Sequence, residues 1–274
     1  VCPYGEVIVH SGTYDESIWI FNKPGIHLHA VGNVIINGDI AITDNADDVI
    51  LEGFHIVIPD YPFAWEAIWL SYVSGCVVKN NIISNQAYPG NNPGDWGIDL
   101  WEACNNNQVK DNEVSGMEIG IIIANISIEE TCSNNIVKGN LVSNAERGIW
   151  LAFNSDNNKV MSNQVNNSLG PVFIGISMTG ASFGPGFFTD NNQVKLNDVS
   201  SCMVDGLFLV AAYDNMIGPN NTFNNNGQNG MTLLEMSEDN FVVNNEALQN
   251  TGFDIWNAGM NKFRANTAGT TYGL

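Results

Sequence analysis

The segment Val109-Lys110-Asp111-Asn112-Glu113-Val114-Ser115 returns in altered form along most of the chain. Copies read Val78-Lys79-Asn80-Asn81-Ile82-Ile83-Ser84, Val137-Lys138-Gly139-Asn140-Leu141-Val142-Ser143, Val160-Met161-Ser162-Asn163-Gln164-Val165 and Val194-Lys195-Leu196-Asn197-Asp198-Val199-Ser200, with weaker ones beginning at Ile217, Val242 and Phe263. Their first residues are 31, 28, 23, 34, 23, 25 and 21 positions apart. One such unit cannot bury its apolar residues alone, but stacked copies can. The uneven period therefore predicts one solenoid turn per copy, with loops of variable length at one corner. Length alone would allow 274 residues to form two domains; the continuous repeat argues for one.

Asparagine marks the corners. Two residues before the first apolar position stand Asn107, Asn135, Asn158, Asn192, Asn215, Asn240 and Asn261, and three residues after it stand Asn81, Asn112, Asn140, Asn163, Asn197, Asn220, Asn245 and Asn266. Asn tolerates left-handed backbone and bonds its own turn, which suits tight corners. Stacked coils would align these side chains into amide ladders. A second strand opens at Gly97, Gly120, Gly148, Gly175, Gly206 and Gly230. Alternation after each glycine sends Ile98/Leu100, Ile121/Ile123, Ile149/Leu151, Ile176/Met178, Leu207/Leu209 and Met231/Leu233 inward. The same phase turns Trp69, Asp99, Trp101, Trp150 and Phe208 outward, and near the end it places Phe253 and Ile255 inward with Asp254 and Trp256 outward.

The opening passage carries a family resemblance. Ser11-Gly12-Thr13-Tyr14, Ile18, Ile20, Lys23-Pro24-Gly25 and Ile26 follow the pattern of the first coils of secreted right-handed parallel β-helix repeat proteins, the pectate-lyase-like solenoids. The resemblance implies an all-β, single right-handed parallel β-helix of about nine to ten coils across 1–274, with opening coils over 1–57, Asn-ladder repeats over 58–266 and a tail over 267–274. It matches no specific enzyme family, because this fold hosts lyases, hydrolases, epimerases, adhesins and structural proteins.

Charge narrows the partners. Nine basic residues against 29 acidic ones give a net charge of -20, which repels nucleic acid and anionic lipid surfaces. No apolar run approaches the ~18 residues of a membrane helix and no signal segment opens the chain, so an extracellular or cell-surface location implies a mature form. Sequons at Asn125, Asn166 and Asn220 permit glycosylation in an exported protein.

The outward row Trp69, Asp99, Trp101, Trp150, Phe208, Asp254 and Trp256 could stack sugar rings, meet another copy of the chain, or lie under the chain's own loops. Asp95, Glu118 and Glu146 each stand two residues before a glycine, so they should stack. Coils ~4.8 Å apart permit the carboxylate separations of glycosidases, roughly 5 to 9.5 Å, which makes these three the acid and base if the protein is an enzyme. A lyase of this fold generally needs a basic proton abstractor and often calcium. Only Arg147 and Arg264 are arginines, and five lysines occupy repeating exposed positions, so no cofactor is expected outside that lyase alternative. His27 and His29 share a face, but the reading adopted is of solvent-facing strand residues, with no metal assigned.

Cys104 and Cys132 each stand five residues before a repeat's first apolar residue, so they should stack within disulfide reach or as a buried thiol ladder. Cys2 and Cys202 are the further candidates for pairing, and five cysteines leave at least one thiol over. Two longer interruptions, Gln86 to Asp95 and Leu169 to Asp190, read as loops leaving the coil. No capping helix fits before Val7 or after Phe263, and bare strand edges invite pairing with another copy. These features favour a non-enzymatic cell-envelope structural protein of sheath or surface-layer type, assembling amyloid-like by end-to-end stacking and lateral aromatic packing. The alternative is a secreted carbohydrate-active enzyme, a glycoside hydrolase or polysaccharide lyase, or a glycan-binding protein.

Overall fold

The computed structural model describes residues 4–58, 66–85, 95–127, 129–166, 172–180 and 188–274. Among them there is no helix. Every strand pairing is parallel, and the chain winds as a single parallel β-solenoid. The number of turns differs slightly from the nine to ten expected. Coil length varies, with stacked asparagines lying 34 residues apart at Asn158 and Asn192 but 21 apart at Asn240 and Asn261. Most of the two interruptions read as loops lies outside the described residues.

Three ladders run the length of the coil. The first holds the repeat's leading valine, as in Gln108–Lys110 stacked between Val77–Lys79 and Ile136–Lys138. The second follows one corner later, as in Ile82–Asn85 against Glu113–Ala124. The third carries Glu66–Ser71, Trp96–Trp101, the far end of Glu113–Ala124, and that of Leu141–Ala152. Alternation fills the interior with Val78, Val109, Val137, Val160 and Val194 from the first ladder, and with the predicted inward Ile, Leu and Met residues from the third.

The asparagines form two continuous hydrogen-bonded columns. Asn112 Nδ2 donates to Val78 O at 3.0 Å and to Asn140 Oδ1 at 3.0 Å, while its own Oδ1 accepts from the backbone N–H of Asn81 at 3.0 Å. Buried amides must be bonded, and each rung here bonds the next. One register differs from expectation: Asn221, not Asn220, carries the ladder, accepting from Asn197 Nδ2 at 3.0 Å. The Gly218–Pro219 pair adds a residue to that corner. Asn226 and Asn250 begin a third column, which ends on Asp254.

The glycine column has a steric cause. A Cβ on Gly120 would lie 2.3 Å from Val142 Cγ1 and 2.6 Å from the Gly148 carbonyl oxygen, and Gly148 meets the same obstruction one coil on. Stacked backbones approach so closely there that the position has no room for a side chain.

Candidate functional site

The outward positions of the third ladder form one row: Trp69, Asp99, Ile122, Trp150, Ser177, Phe208, Thr232 and Trp256 are successive parallel partners. Two residues along lies Ser71, Trp101, Ala124, Ala152 and Thr179; three residues back lies Glu66, Trp96, Ile119 and Arg147. A second apolar cluster, outside the coil, joins Ile119, Ile122, Ala124 and Ala152 to the half-buried rings of Trp96, Trp101, Trp150 and Phe153. Trp96 and Trp101 rings lie 5.8 Å apart, and the Arg147 guanidinium stands 4.6 Å from the Trp150 ring centre, whose Nε1 donates to Thr179 Oγ1 at 2.7 Å.

Asp99 sits within this apolar ground, 1% exposed, and its Oδ1 has no hydrogen-bond partner. Burial raises its carboxyl well above the usual aspartate range, helped by the negative charge of Glu66. Glu66, half-buried on the adjacent rung's flank, is raised for the same first reason, with Asp39 and Asp95 adding repulsion. Trp96 Nε1 is likewise buried without a partner. The face thus gathers a carboxyl whose hold on its proton is strengthened by burial, a buried indole donor without a partner, and flat rings. That is a combination for holding a hydroxylated ring and delivering a proton to it.

Pairing brings Asp95, Glu118 and Glu146 into adjacent rungs one residue before Trp96, Ile119 and Arg147, but their surroundings differ. Asp95 is buried and accepts from Asn85 Nδ2 at 2.7 Å, Glu118 is half-buried, and Glu146 is exposed. Asp99 lies in the predicted row, though buried rather than open to solvent. Asp254, like Asp99, is buried rather than open to solvent. It is 3% exposed and accepts from Asn250 Nδ2 at 2.8 Å, Gly269 N at 2.8 Å and Thr270 N at 2.9 Å. Phe253, expected inside, is 38% exposed and packs with Trp256 and Tyr272. Asn125 is fully buried, Asn166 half-buried and Asn220 exposed. Glu66 and Trp96 escaped the sequence reading, although their spacing of three before Trp69 and Asp99 matches that of Arg147 before Trp150.

The expected disulfides are absent among the described residues. Cys76, Cys104, Cys132 and Cys202 are free and buried, while Cys2 lies outside the described residues. Cys104 and Cys132 do stack, the Cys104 N–H facing Cys132 Sγ at 3.4 Å. Each thiol instead turns to a carbonyl, Cys104 to Leu70 O at 3.2 Å and Cys132 to Ala124 O at 3.1 Å. Ser155 fills the same corner two coils below Cys104, bonding Ile123 O at 2.6 Å. The position takes a small donor, cysteine or serine, that bonds a carbonyl of a neighbouring turn.

On the first ladder Glu6, His27 and His29 offer ligand atoms all within 4.8 Å of one another, the group among the described residues that could hold a metal ion.

The sequence model of a family described as periplasmic copper-binding protein (NosD) matches residues 8–184, more than half of the chain. The chain belongs to the NosD family. No curated protein matches this NosD-family chain in sequence. Solved structures share its fold. The mannuronan C-5 epimerase A-module of Azotobacter vinelandii is 11% identical over 98% of this chain and 89% of its own, with a TM-score of 0.56. An exopolygalacturonase of Thermotoga maritima is 12% identical over 98% and 84%, at 0.59. The catalytic unit of an alpha-1,3-glucanase from Streptomyces thermodiastaticus is 14% identical over 100% and 65%, at 0.54. The expectation of a self-assembling sheath or surface-layer protein is overturned. The three solved structures named above are an epimerase, an exopolygalacturonase and a glucanase by their descriptions, and the rings expected to pack between copies pack within the chain, Trp101 and Trp150 in the outer cluster and Trp256 on Phe253 and Tyr272.

Proposed function

We propose that this chain is an exported, periplasmic or extracellular protein that binds a polysaccharide along the Trp69–Phe208 row and cleaves it at Asp99. The observation that carries the reading is the buried, unpartnered Asp99 carboxyl among Trp69, Trp96 and Trp101. Sugar rings stack on flat indoles, and a carboxyl whose hold on its proton is strengthened by burial can donate to a departing glycosidic oxygen. Glu66, beside it and also made more basic by burial, is placed to take the proton from the attacking water; Asp95, Glu118 and Glu146 are the other carboxylates on this flank. A net charge of -20 favours an uncharged glycan, of the class an alpha-1,3-glucanase takes, over a polyuronate. Among the described residues, the copper binding in the family's description finds matching chemistry outside that face, in the imidazoles and carboxylate of Glu6, His27 and His29.

The test is a panel of neutral and acidic polysaccharides, with affinity electrophoresis for retention and reducing-end release for cleavage. Trp101→Ala and Trp150→Ala should lose retention tenfold or more, whereas Asp99→Asn should keep retention and lose cleavage. A wild-type chain that neither binds nor cuts any glycan sinks the reading.

A further inference from the structure

We propose that Arg147 and Trp150 form a subsite for one acidic sugar, a uronate whose carboxylate is carried on an otherwise neutral glycan. The inference rests on the glycan reading of this face and names the substrate class. Arg147 lies on the strand Leu141–Ala152, three residues before Trp150, and its guanidinium stands 4.6 Å from that ring's centre. None of the ion pairs among the described residues involves it. Its Nη1 donates to Ser177 Oγ at 3.5 Å, a long bond, and most donors of the fork have no partner among the described residues. A chain with nine basic residues against 29 acidic ones has carboxylates to spare, yet this half-buried cation takes none of those described.

The surroundings fix the platform and keep it partly dry. Trp150 Nε1 is tied to Thr179 Oγ1 at 2.7 Å, and Ser177 is fully buried. Burial weakens the guanidinium's hold on its proton, and the negative charges of Glu118 and Glu146 only partly oppose this. A partly desolvated cation without a bound counter-charge is costly. A ligand carboxylate offsets that cost and matches the planar fork with two parallel bonds. Register sets the distance to Asp99. Trp150 pairs with Ile122 and Ile122 with Asp99, so the subsite lies two rungs away, roughly 10 Å along the coil at ~4.8 Å per rung. The rung between offers the buried, apolar Ile119 and Ile122. Glu66 adds its negative charge beside Asp99. A carboxylate on every sugar would meet that repulsion, whereas one set apart by neutral sugars reaches Arg147 without it.

The experiment measures, by calorimetry on the full chain, the affinity for soluble alpha-1,3-glucan oligosaccharides in three forms: unmodified, sparsely oxidised to uronate at the primary hydroxyl, and fully oxidised. The wild type should bind the sparsely oxidised form roughly tenfold tighter than the unmodified one, the worth of one charge-assisted bond. It should bind the fully oxidised form less well than the sparse one. In Arg147→Gln the preference for the sparse form should disappear. Arg147→Lys, which keeps the charge but loses the fork, should recover only part of it. Lys138→Gln, exposed on another ladder, should leave the preference unchanged, and circular dichroism reports that each variant is folded. Equal affinities in the wild type, tightest binding of the fully oxidised form, or a preference that survives in folded Arg147→Gln overturns the subsite and leaves the glycan reading standing. A wild type that binds none of the three forms also overturns the subsite, and binding to no glycan of the wider panel overturns the underlying reading with it.

Discussion

Asp99 and Asp254 stand at similar places in the sequence, each close before a tryptophan, and the fold gives them opposite properties. Burial is the largest influence on both. At Asp99 nothing offsets it, so the carboxyl is raised; at Asp254 bonds from Asn250, Thr270 and Gly269 outweigh it and the carboxyl is lowered. The cysteines follow the first pattern. Burial pushes the Cys76 and Cys202 thiols up to about 12, and it raises Cys104 well above the usual thiol range. Thiolate is the reactive form, so these thiols should be inert to a disulfide reagent in the native protein and react on unfolding in guanidinium. Rapid native labelling at Cys104 or Cys132, read by peptide mass, would contradict the burial assigned to them.

Each corner element depends on a hydrogen-bond column and a glycine column. Asn112→Asp keeps the shape but turns an N–H donor into an oxygen facing Val78 O and Asn140 Oδ1. Unsatisfied buried groups cost about 1–3 kcal/mol each, so this variant should lose roughly 3 kcal/mol or more in denaturant unfolding, and Asn112→Ala a comparable amount. The same change at the exposed Asn220 should cost little, since Asn221 carries the ladder. Gly120→Val would drive methyl groups into Val142 and the Gly148 carbonyl, both fixed by stacked neighbours. Overpacking of this kind costs about 1–3 kcal/mol or more. A melting temperature unchanged from wild type in Gly120→Val would refute the steric account of the glycine column.

A solenoid stacks its charges as it stacks its core, which makes the whole molecule sensitive to pH. Asp156 and Asp190 occupy corners one coil apart, where the Asp190 backbone N–H donates to Asp156 Oδ1 at 2.9 Å. Burial first, then the neighbouring Asp156, raises Asp190 from 3.8 to about 6, while the Tyr213 N–H opposes the shift. Glu66, Asp99, Asp156 and Asp205 are raised as well, each by burial first. A carboxyl with a raised folded pKa binds its proton more tightly in the native state, so stability grows as pH falls through 6 and the gain is complete below 3.8. Asp254, lowered, contributes in the other direction, and its contribution is lost only as pH falls below the usual aspartate range. The melting temperature should therefore rise between pH 7 and about pH 4.5 and fall in stronger acid. Asp190→Asn should flatten the first slope, and a melting temperature that drops steadily from pH 7 downward would refute the assignment.

The repeat, its inward apolar phase, the asparagine columns and the stacking of Cys104 on Cys132 were legible in the sequence, because each depends on short-range periodicity that every coil repeats. The solenoid follows from that periodicity. What Asp99, Asp254 and the outward tryptophans do was decided by tertiary structure. Alternation says that a side chain leaves the coil, but not whether solvent awaits it. Trp96 and Phe153 gather over one stretch of the row, and Gly269 and Thr270 fold back on Asp254. The same holds for Glu6 and the two histidines. Glu6 lies 21 and 23 residues before the two histidines, and only the register of the first coil against the second brings its carboxylate to an imidazole whose Nδ1 is buried.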